Sequence, residues 1–238
     1  MYRVDYRIKR SVWLACLFML MFGCQGQPNQ ATNQLDRPEG TQHCAVTDVE
    51  NKESWSRALK AAQTAFKSHQ EKLKRTDIVT VINFDTLHLN SDSAGDNLDR
   101  LRVYDVSKGW SRVRSSWVSH AQKSGSKCPV KFSNRMGKKF TSRGAYVTHS
   151  KTHKSNRFGF PALNVDGLEP GLNDLARKRL IKFHQAIDKK NNDKKIDVSE
   201  GCFMTRPSVN KALTEQIAGG TLVYVYSSLP VIDAAAKK

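Results

Sequence analysis

The chain has 238 residues and a formal net charge of +17, from 39 Lys and Arg against 22 Asp and Glu. Hydrophobic residues at 39% and charged residues at 26% exclude wholesale disorder, which goes with fewer apolar side chains. A single long apolar run, near the start, excludes a polytopic membrane protein, and the length suits one domain with a small helical attachment.

Residues 1–23 read as an export signal. Arg3, Arg7, Lys9 and Arg10 form a basic leader, and the apolar stretch 12–22 is too short for a comfortable transmembrane helix. Met21-Phe22-Gly23-Cys24 resembles a bacterial lipobox, so Cys24 is expected to become a lipidated N-terminus. Gln25 behind it implies an outer-membrane anchor facing the periplasm; an ordinary cleaved signal or an uncleaved anchor is the alternative. Residues 24–47, rich in Gln, Asn, Gly and Pro at their start, read as a solvated tether.

Losing residues 1–23 removes four basic residues and Asp5, a net loss of three, which leaves +14. Such a balance usually suggests nucleic acid. Export and the lack of any nucleic-acid motif argue against that partner. The polyanions outside the inner membrane are cell-wall peptide carboxylates and lipopolysaccharide phosphates, and a solvated basic surface with no specific partner fits equally well. Beyond Cys16 and Cys24, three cysteines remain: Cys44, Cys128 and Cys202. In an oxidising compartment one thiol is left over. Pairing Cys44 with Cys128 would leave Cys202 free, although spacing alone does not choose among the pairings.

Residues 48–74 carry Trp55, Leu59, Ala62, Phe66 and Leu73 at helical spacing, the pattern of a core-facing helix within a helical segment 48–76. The β-branched run 78–84 then predicts a buried strand, and 90–97 a loop. Residues 101–106, the Lys108-Gly109 turn and 110–120 predict a hairpin. Residues 121–141 read mostly as loop, 145–148 and 163–165 as strands, 173–179 as a short helix or turn, and 180–184 as a strand. Residues 207–218 predict a helix, with Pro207 in its first turn and Gly219-Gly220 past its end, before a last strand at 221–226. Many short strands with two helices argue for a mainly β, α+β domain rather than a βαβ repeat.

Chemistry concentrates at Ser199-Glu200-Gly201-Cys202. A glycine before a cysteine lets the backbone turn tightly, and amides of such a turn suit a developing oxyanion. The cysteine attacks only as thiolate, so it needs a base, and His184 at the end of an apolar strand is the best placed. Taken alone, a small buried cysteine and a structural histidine explain the same residues. The run 188–200 echoes a calcium loop, but it has 13 residues, no glycine and four lysines, so no metal is expected. No C-x-x-C or compact His/Cys spacing indicates zinc, and no cofactor is expected.

The surroundings add more. Across most of residues 77–227 the chain resembles the L,D-transpeptidase catalytic domain family, in its murein L,D-transpeptidase branch. The likeness is carried by Val118-Ser119-His120 with Gly125, Lys131-Phe132-Ser133-Asn134, and Ser142 through Gly144 with Tyr146, Val147 and Thr148. Its most specific part is Asp166-Gly167-Leu168-Glu169-Pro170-Gly171 with Asn173-Asp174 and Ala176-Arg177, followed by His184, the 199–202 turn and Gly219-Gly220-Thr221.

The resemblance implies a β-sandwich-like catalytic domain over 77–229, ahead of a tail at 230–238. It implies Cys202 as nucleophile, His184 as base, and Ser199 and Gly201 as shapers of the turn. It places His120, Asn134, Tyr146 and Arg177 at the substrate, with an ion pair from Arg177 to Asp174 or Glu169 as the structural alternative. The implied substrate is a peptidoglycan tetrapeptide stem, cut at its third residue through a cysteine thioester. Two residues depart from the family pattern: Gln185 stands where Gly usually follows the histidine, and Glu200 where Trp or His is usual. An unpaired carboxylate two residues from the sulfur would raise the thiol pKa, with 189–195 as the expected counter-charge. These departures motivate the alternative of a catalytically impaired, murein-binding envelope lipoprotein of the same fold.

Overall fold

A computed structural model describes residues 44–45, 47–86, 99–125, 128–149, 153–154, 160–186 and 199–232. The export signal, Cys24, nearly all of the tether, the loop 90–97, the stretch 188–198 with its calcium-like residues, and the end of the tail lie outside the described residues.

The first helix, α1 (Asp48–His69), starts where Thr47 and Glu50 cap each other: Thr47 Oγ1 accepts from Glu50 N–H and Glu50 Oε2 from Thr47 N–H. Acidic residues in its first turn and Lys67 and His69 in its last oppose the helix dipole favourably. The helix stops short of the predicted residue 74. A 3₁₀ turn at Gln70–Lys72 follows, and Lys74 and Arg75 then donate to Gly220 O, which bends the chain into the sheet.

Among the described residues nine strands form one sheet. They are β1 (Ile78–Asn83), β2 (Leu101–Asp105), β3 (Ser111–Ser116), β4 (Gly144–Thr148), β5 (His153–Lys154), β6 (Pro161–Gly167), β7 (Lys182–Gln185), β8 (Phe203–Thr205) and β9 (Leu222–Tyr226). The order is β3-β2-β1-β9-β4-β6-β7-β8, with β5 beside β6. The fold is mainly β, as the sequence predicts, with α2 (Pro207–Ile217) between β8 and β9. Two neighbouring pairs, β1–β9 and β7–β8, are parallel. Strand β1 is buried along its whole length, which is why its sequence is a continuous apolar run rather than an alternating one.

Directly paired residues point to the same side of a sheet and alternate along each strand, so the register assigns the two faces. One face carries Val79, Val81, Tyr104, Leu222 and Ala145, and α1 lays Trp55, Ala58, Ala62 and Phe66 on them. Each fully buried large apolar side chain there contributes about 1.5–3 kcal/mol. The opposite face carries Ile78, Ile82, Tyr146, Leu163, Val165, Phe183 and Phe203, packed against Leu213 and Ile217 of α2. Continued through Val147↔Asp166, Ala162↔His184 and His184↔Met204, the α1 face runs on to β6, β7 and β8. Helix α1 thus covers one half of this face, and the candidate chemistry occupies the other.

Strand β7 begins two residues later than predicted. Leu180 adopts a left-handed φ of 59° and closes the turn at 173–179: Leu180 N–H donates to Arg177 O and Ile181 N–H to Ala176 O. This is a Schellman arrangement, in which glycine is the usual occupant of Leu180's position.

Candidate active site

His184 is the third residue of β7, and its Cα partner on β8 is Met204. Cys202 lies immediately before β8, two residues ahead of Met204, so the alternation of the strand, continued by one residue, would turn it to the side of His184. On that continuation, standard strand spacing and rise put the two α carbons about 8 Å apart. His184 is buried, with its ring stacked on Phe160 at 5.8 Å. Its Nδ1 lies 2.7 Å from Gln185 O. A carbonyl only accepts, so Nδ1 carries the proton and Nε2 keeps a lone pair. Burial pushes the pKa of His184 below its ordinary value and Lys182 pushes the same way, while the Gln185 carbonyl opposes them. The neutral imidazole is therefore favoured. The glycine-to-glutamine departure at 185 leaves this contact intact, because the main chain makes it.

The turn at 199–202 is built around Ser199. Its Oγ accepts from Gly201 N–H at 3.0 Å and donates to Cys202 O at 2.7 Å. Its main chain pairs with the segment 120–122: Ser199 N–H donates to His120 O, and Gln122 N–H to Ser199 O. Gly201 has a φ of 136°, and a Cβ there would come within 2.6 Å of Ile181 Cδ1, so both conformation and space select glycine. The amide of Gly201, an expected oxyanion donor, is instead committed to Ser199 Oγ and shapes the turn. Cys202 is a reduced, half-buried thiol outside any disulfide, and its Sγ lies 3.5 Å from Leu180 O. Glu200 pairs with Lys139 at 2.6 Å, so its counter-charge among the described residues comes from the 121–141 segment.

A model of the L,D-transpeptidase catalytic domain matches residues 50–226. The chain belongs to that family. Among solved structures, an L,D-transpeptidase from Stackebrandtia nassauensis is similar at 17% identity, with 76% of this chain and 78% of that one covered and a TM-score of 0.35. An L,D-transpeptidase from Mycobacterium smegmatis is similar at 14% identity, with 53% and 54% covered and a TM-score of 0.31. No curated protein matches the sequence.

For an L,D-transpeptidase domain the four residues expected at the substrate fall in three environments. Tyr146 is fully buried on the opposite face, edge-on to Phe203, with its hydroxyl donating to Ser142 O. His120 is buried with both ring nitrogens engaged, Nε2 by Gly125 O and Nδ1 by the Arg100 guanidinium, while its main chain holds Ser199. Asn134 is buried and donates to Asp174 Oδ1. All three are buried; Tyr146 and His120 have their polar atoms bonded, whereas Asn134 Oδ1 is buried without a hydrogen-bond partner among the described residues. Arg177 is half-exposed, and its Nε donates to Asp166 Oδ1 at 2.7 Å, so its partner is Asp166 rather than Asp174 or Glu169. Asp166 also holds His149 Nε2 at 2.8 Å, and the register puts Asp166 on the same face as His184.

One feature escaped the sequence reading. Arg179 clamps the loop around the turn, donating to Ser133 O, Ser142 Oγ and Phe140 O, and its Nη2 would stand 3.6 Å from a Cβ at Gly201. Only its place two residues after Arg177 in the family motif signals it. The Cys44–Cys128 disulfide, a pairing the sequence offered without choosing it, ties the start of the described chain to the segment 121–141, whose Lys139 and Phe140 meet the 199–202 turn. Among the described residues no group of three His, Cys, Asp or Glu side chains is placed to hold a metal, and no helix is long and apolar enough to cross a membrane.

Proposed function

We propose that the protein is an exported cysteine acyltransferase acting on peptidoglycan tetrapeptide stems, as an L,D-transpeptidase or L,D-carboxypeptidase. The observation that supports this reading is that His184 stands on β7 and Cys202 immediately ahead of its parallel neighbour β8, with Nδ1–H tied to Gln185 O, the tautomer in which Nε2 carries the lone pair a base needs. In the first half-reaction Nε2 takes the proton of Cys202, and the sulfur adds to the carbonyl carbon of the third stem residue. The imidazolium then returns its proton to the nitrogen of the departing D-alanine, the C–N bond breaks, and a thioester remains. In the second half-reaction an amine or water attacks the thioester and Cys202 leaves as the thiol.

The family membership supports peptidoglycan as the substrate class. The Arg179 guanidinium beneath the turn and the Lys139–Glu200 pair support thiolate formation by supplying positive charge and neutralising the carboxylate. Arg177 is the candidate for the leaving carboxylate, by exchange of its pair with Asp166. Lipidation at Cys24 and a periplasmic, outer-membrane location complete the proposal, and metabolic labelling with a fatty acid, lost in Cys24→Ala, tests them.

Mass spectrometry of the purified protein with a carbapenem is expected to show one covalent adduct, on Cys202, and tetrapeptide incubation is expected to release D-alanine. If neither occurs while murein binding persists, the non-catalytic reading motivated by Gln185 and Glu200 replaces this one.

A further inference from the structure

Two residues other than glycine hold a positive φ among the described residues, Leu180 beside the thiol and Trp110 at the turn between β2 and β3. A bulky side chain in that region is uncommon, and such positions cluster at binding sites. Trp110 has a φ of 63° and meets Phe66 of α1 edge-on at 5.5 Å. The pair forms the floor and wall of a cavity of about 370 Å³, completed by Gln63, Lys67 and Gln70. These positions recur at helical spacing, so α1 and its 3₁₀ extension turn one stripe of amides, an aromatic ring and an ammonium toward Trp110.

From this lining we infer a saccharide subsite that takes the glycan strand of the polymer whose stem peptides the nucleophile processes; the inference rests on the proposed function. An aromatic face offers a flat apolar platform to the C–H face of a sugar ring, and the two glutamine amides offer both donors and acceptors to hydroxyl and N-acetyl groups. No carboxylate lines the cavity. Its one charge, Lys67, suits a neutral amino sugar or one bearing a carboxylate rather than a cation. The volume falls in the range of small-ligand sites. Trp110 packs against the α1 core cluster and yet stays half-exposed, and Gln70 and Lys67 lie in solvent. The cavity lies at the β2–β3 edge, five strands from β7, roughly 24 Å away at ordinary strand spacing. A strand held there would keep its stem peptides at high effective concentration before Cys202.

The test is isothermal titration of the full mature chain with the tetramer of N-acetylglucosamine. Wild type is expected to show saturable binding. Gln63→Ala with Gln70→Ala, and separately Trp110→Gly, are each expected to weaken it about ten-fold or more. Glycine accepts this φ without strain, so Trp110→Gly removes the ring and not the backbone shape. The glutamines lie at the helix surface, so an unchanged melting temperature in the double variant separates lost binding from lost folding. Absence of saturable binding by wild type, or undiminished binding in both variants, overturns the subsite. Turnover of a soluble tetrapeptide by wild type, measured alongside, reports on the proposed reaction by itself: turnover without glycan binding refutes the subsite alone, and binding without turnover refutes the reaction alone.

Discussion

The loop at 166–174 and the turn at 199–202 use the same device, short polar side chains bonded to nearby main chain, for opposite ends. In the first, Asn173 Nδ2 donates to Arg143 O and Ala145 O, and its Oδ1 accepts from Glu169 N–H. Glu169 Oε2 accepts from Ala145 N–H, and Asp174 from Gly171 N–H and Asn134. Gly167 packs so closely that a Cβ would lie 2.0 Å from Asn173 O. In the second, Ser199 Oγ knits the turn from within, Ser119 Oγ joins it at Cys202 O, and the thiol stays half-buried. The most distinctive stretch of the sequence is therefore scaffold, and the thiol proposed for the chemistry sits on a shorter and less distinctive one. A buried hydrogen-bond network constrains residue identity at every member, whereas a nucleophile turn needs one serine, one glycine and one thiol.

Substitutions in the two regions should separate activity from stability. The largest effect on activity is expected at Cys202→Ala, which should abolish both D-alanine release and the carbapenem adduct. Because the thiol is half-buried and outside any disulfide, chemical denaturation should register a change within about 1 kcal/mol. An unstable Cys202→Ala protein would show that the turn is scaffold as well.

Asn173→Ala should do the reverse. It removes the partner of the half-buried Glu169 N–H and of Arg143 O, while Ala145 O keeps its bond from Leu168 N–H, and a loss of about 1–3 kcal/mol is expected from denaturant midpoints. Any activity that remains at low temperature should keep its carbapenem adduct, since no reacting group is touched.

A smaller effect is expected from pH at His184. Its native pKa lies below the ordinary 6.5, so the acid limb of kcat/KM for acylation should fall below pH 6.5. The linked stability has a definite sign. In the window just below pH 6.5 the unfolded chain binds a proton that the folded chain refuses, so stability falls on acidification toward the native pKa. Thermal melts of His184→Gln should lose that part of the pH dependence; an unchanged slope would mean that His184 does not titrate abnormally.

The smallest effect is a gain. Leu180→Gly relieves a left-handed backbone at the glycine position of a Schellman turn and should stabilise the fold by about 1 kcal/mol. It also removes an exposed apolar side chain, 65% accessible, beside the thiol. A rise in melting temperature together with a lower kcat/KM would identify Leu180 as strained for the substrate's benefit, whereas a rise in both would make it incidental.

Much of the fold was legible because its signals are local. The helical stripe from Trp55 to Phe66, the apolar run of β1, the hairpin turning at Lys108-Gly109, and Pro207 with Gly219-Gly220 around α2 all follow from periodicity and turn chemistry over a few residues. Strand β8 went unread, since three residues carry no period and its partners β7 and Ser119 come from elsewhere in the chain. Asp166 as the partner of Arg177, and Lys139 as that of Glu200, were equally hidden, because ion pairs across 11 and 61 positions leave no spacing to recognise.

By itself the sequence determined the chemical inventory: one histidine, one thiol and a glycine turn in the pattern of a cysteine acyltransferase family, on a mainly β chain. Only the tertiary structure decided that His184 and Cys202 come to neighbouring parallel strands, that Nδ1 of His184 is tied to a carbonyl, and that Tyr146, His120 and Asn134 are buried. The physical reason is that strand register and hydrogen-bond partnership are set by contacts between segments far apart in the chain. Residue type specifies what a side chain can donate or accept, and packing alone settles which partner it meets.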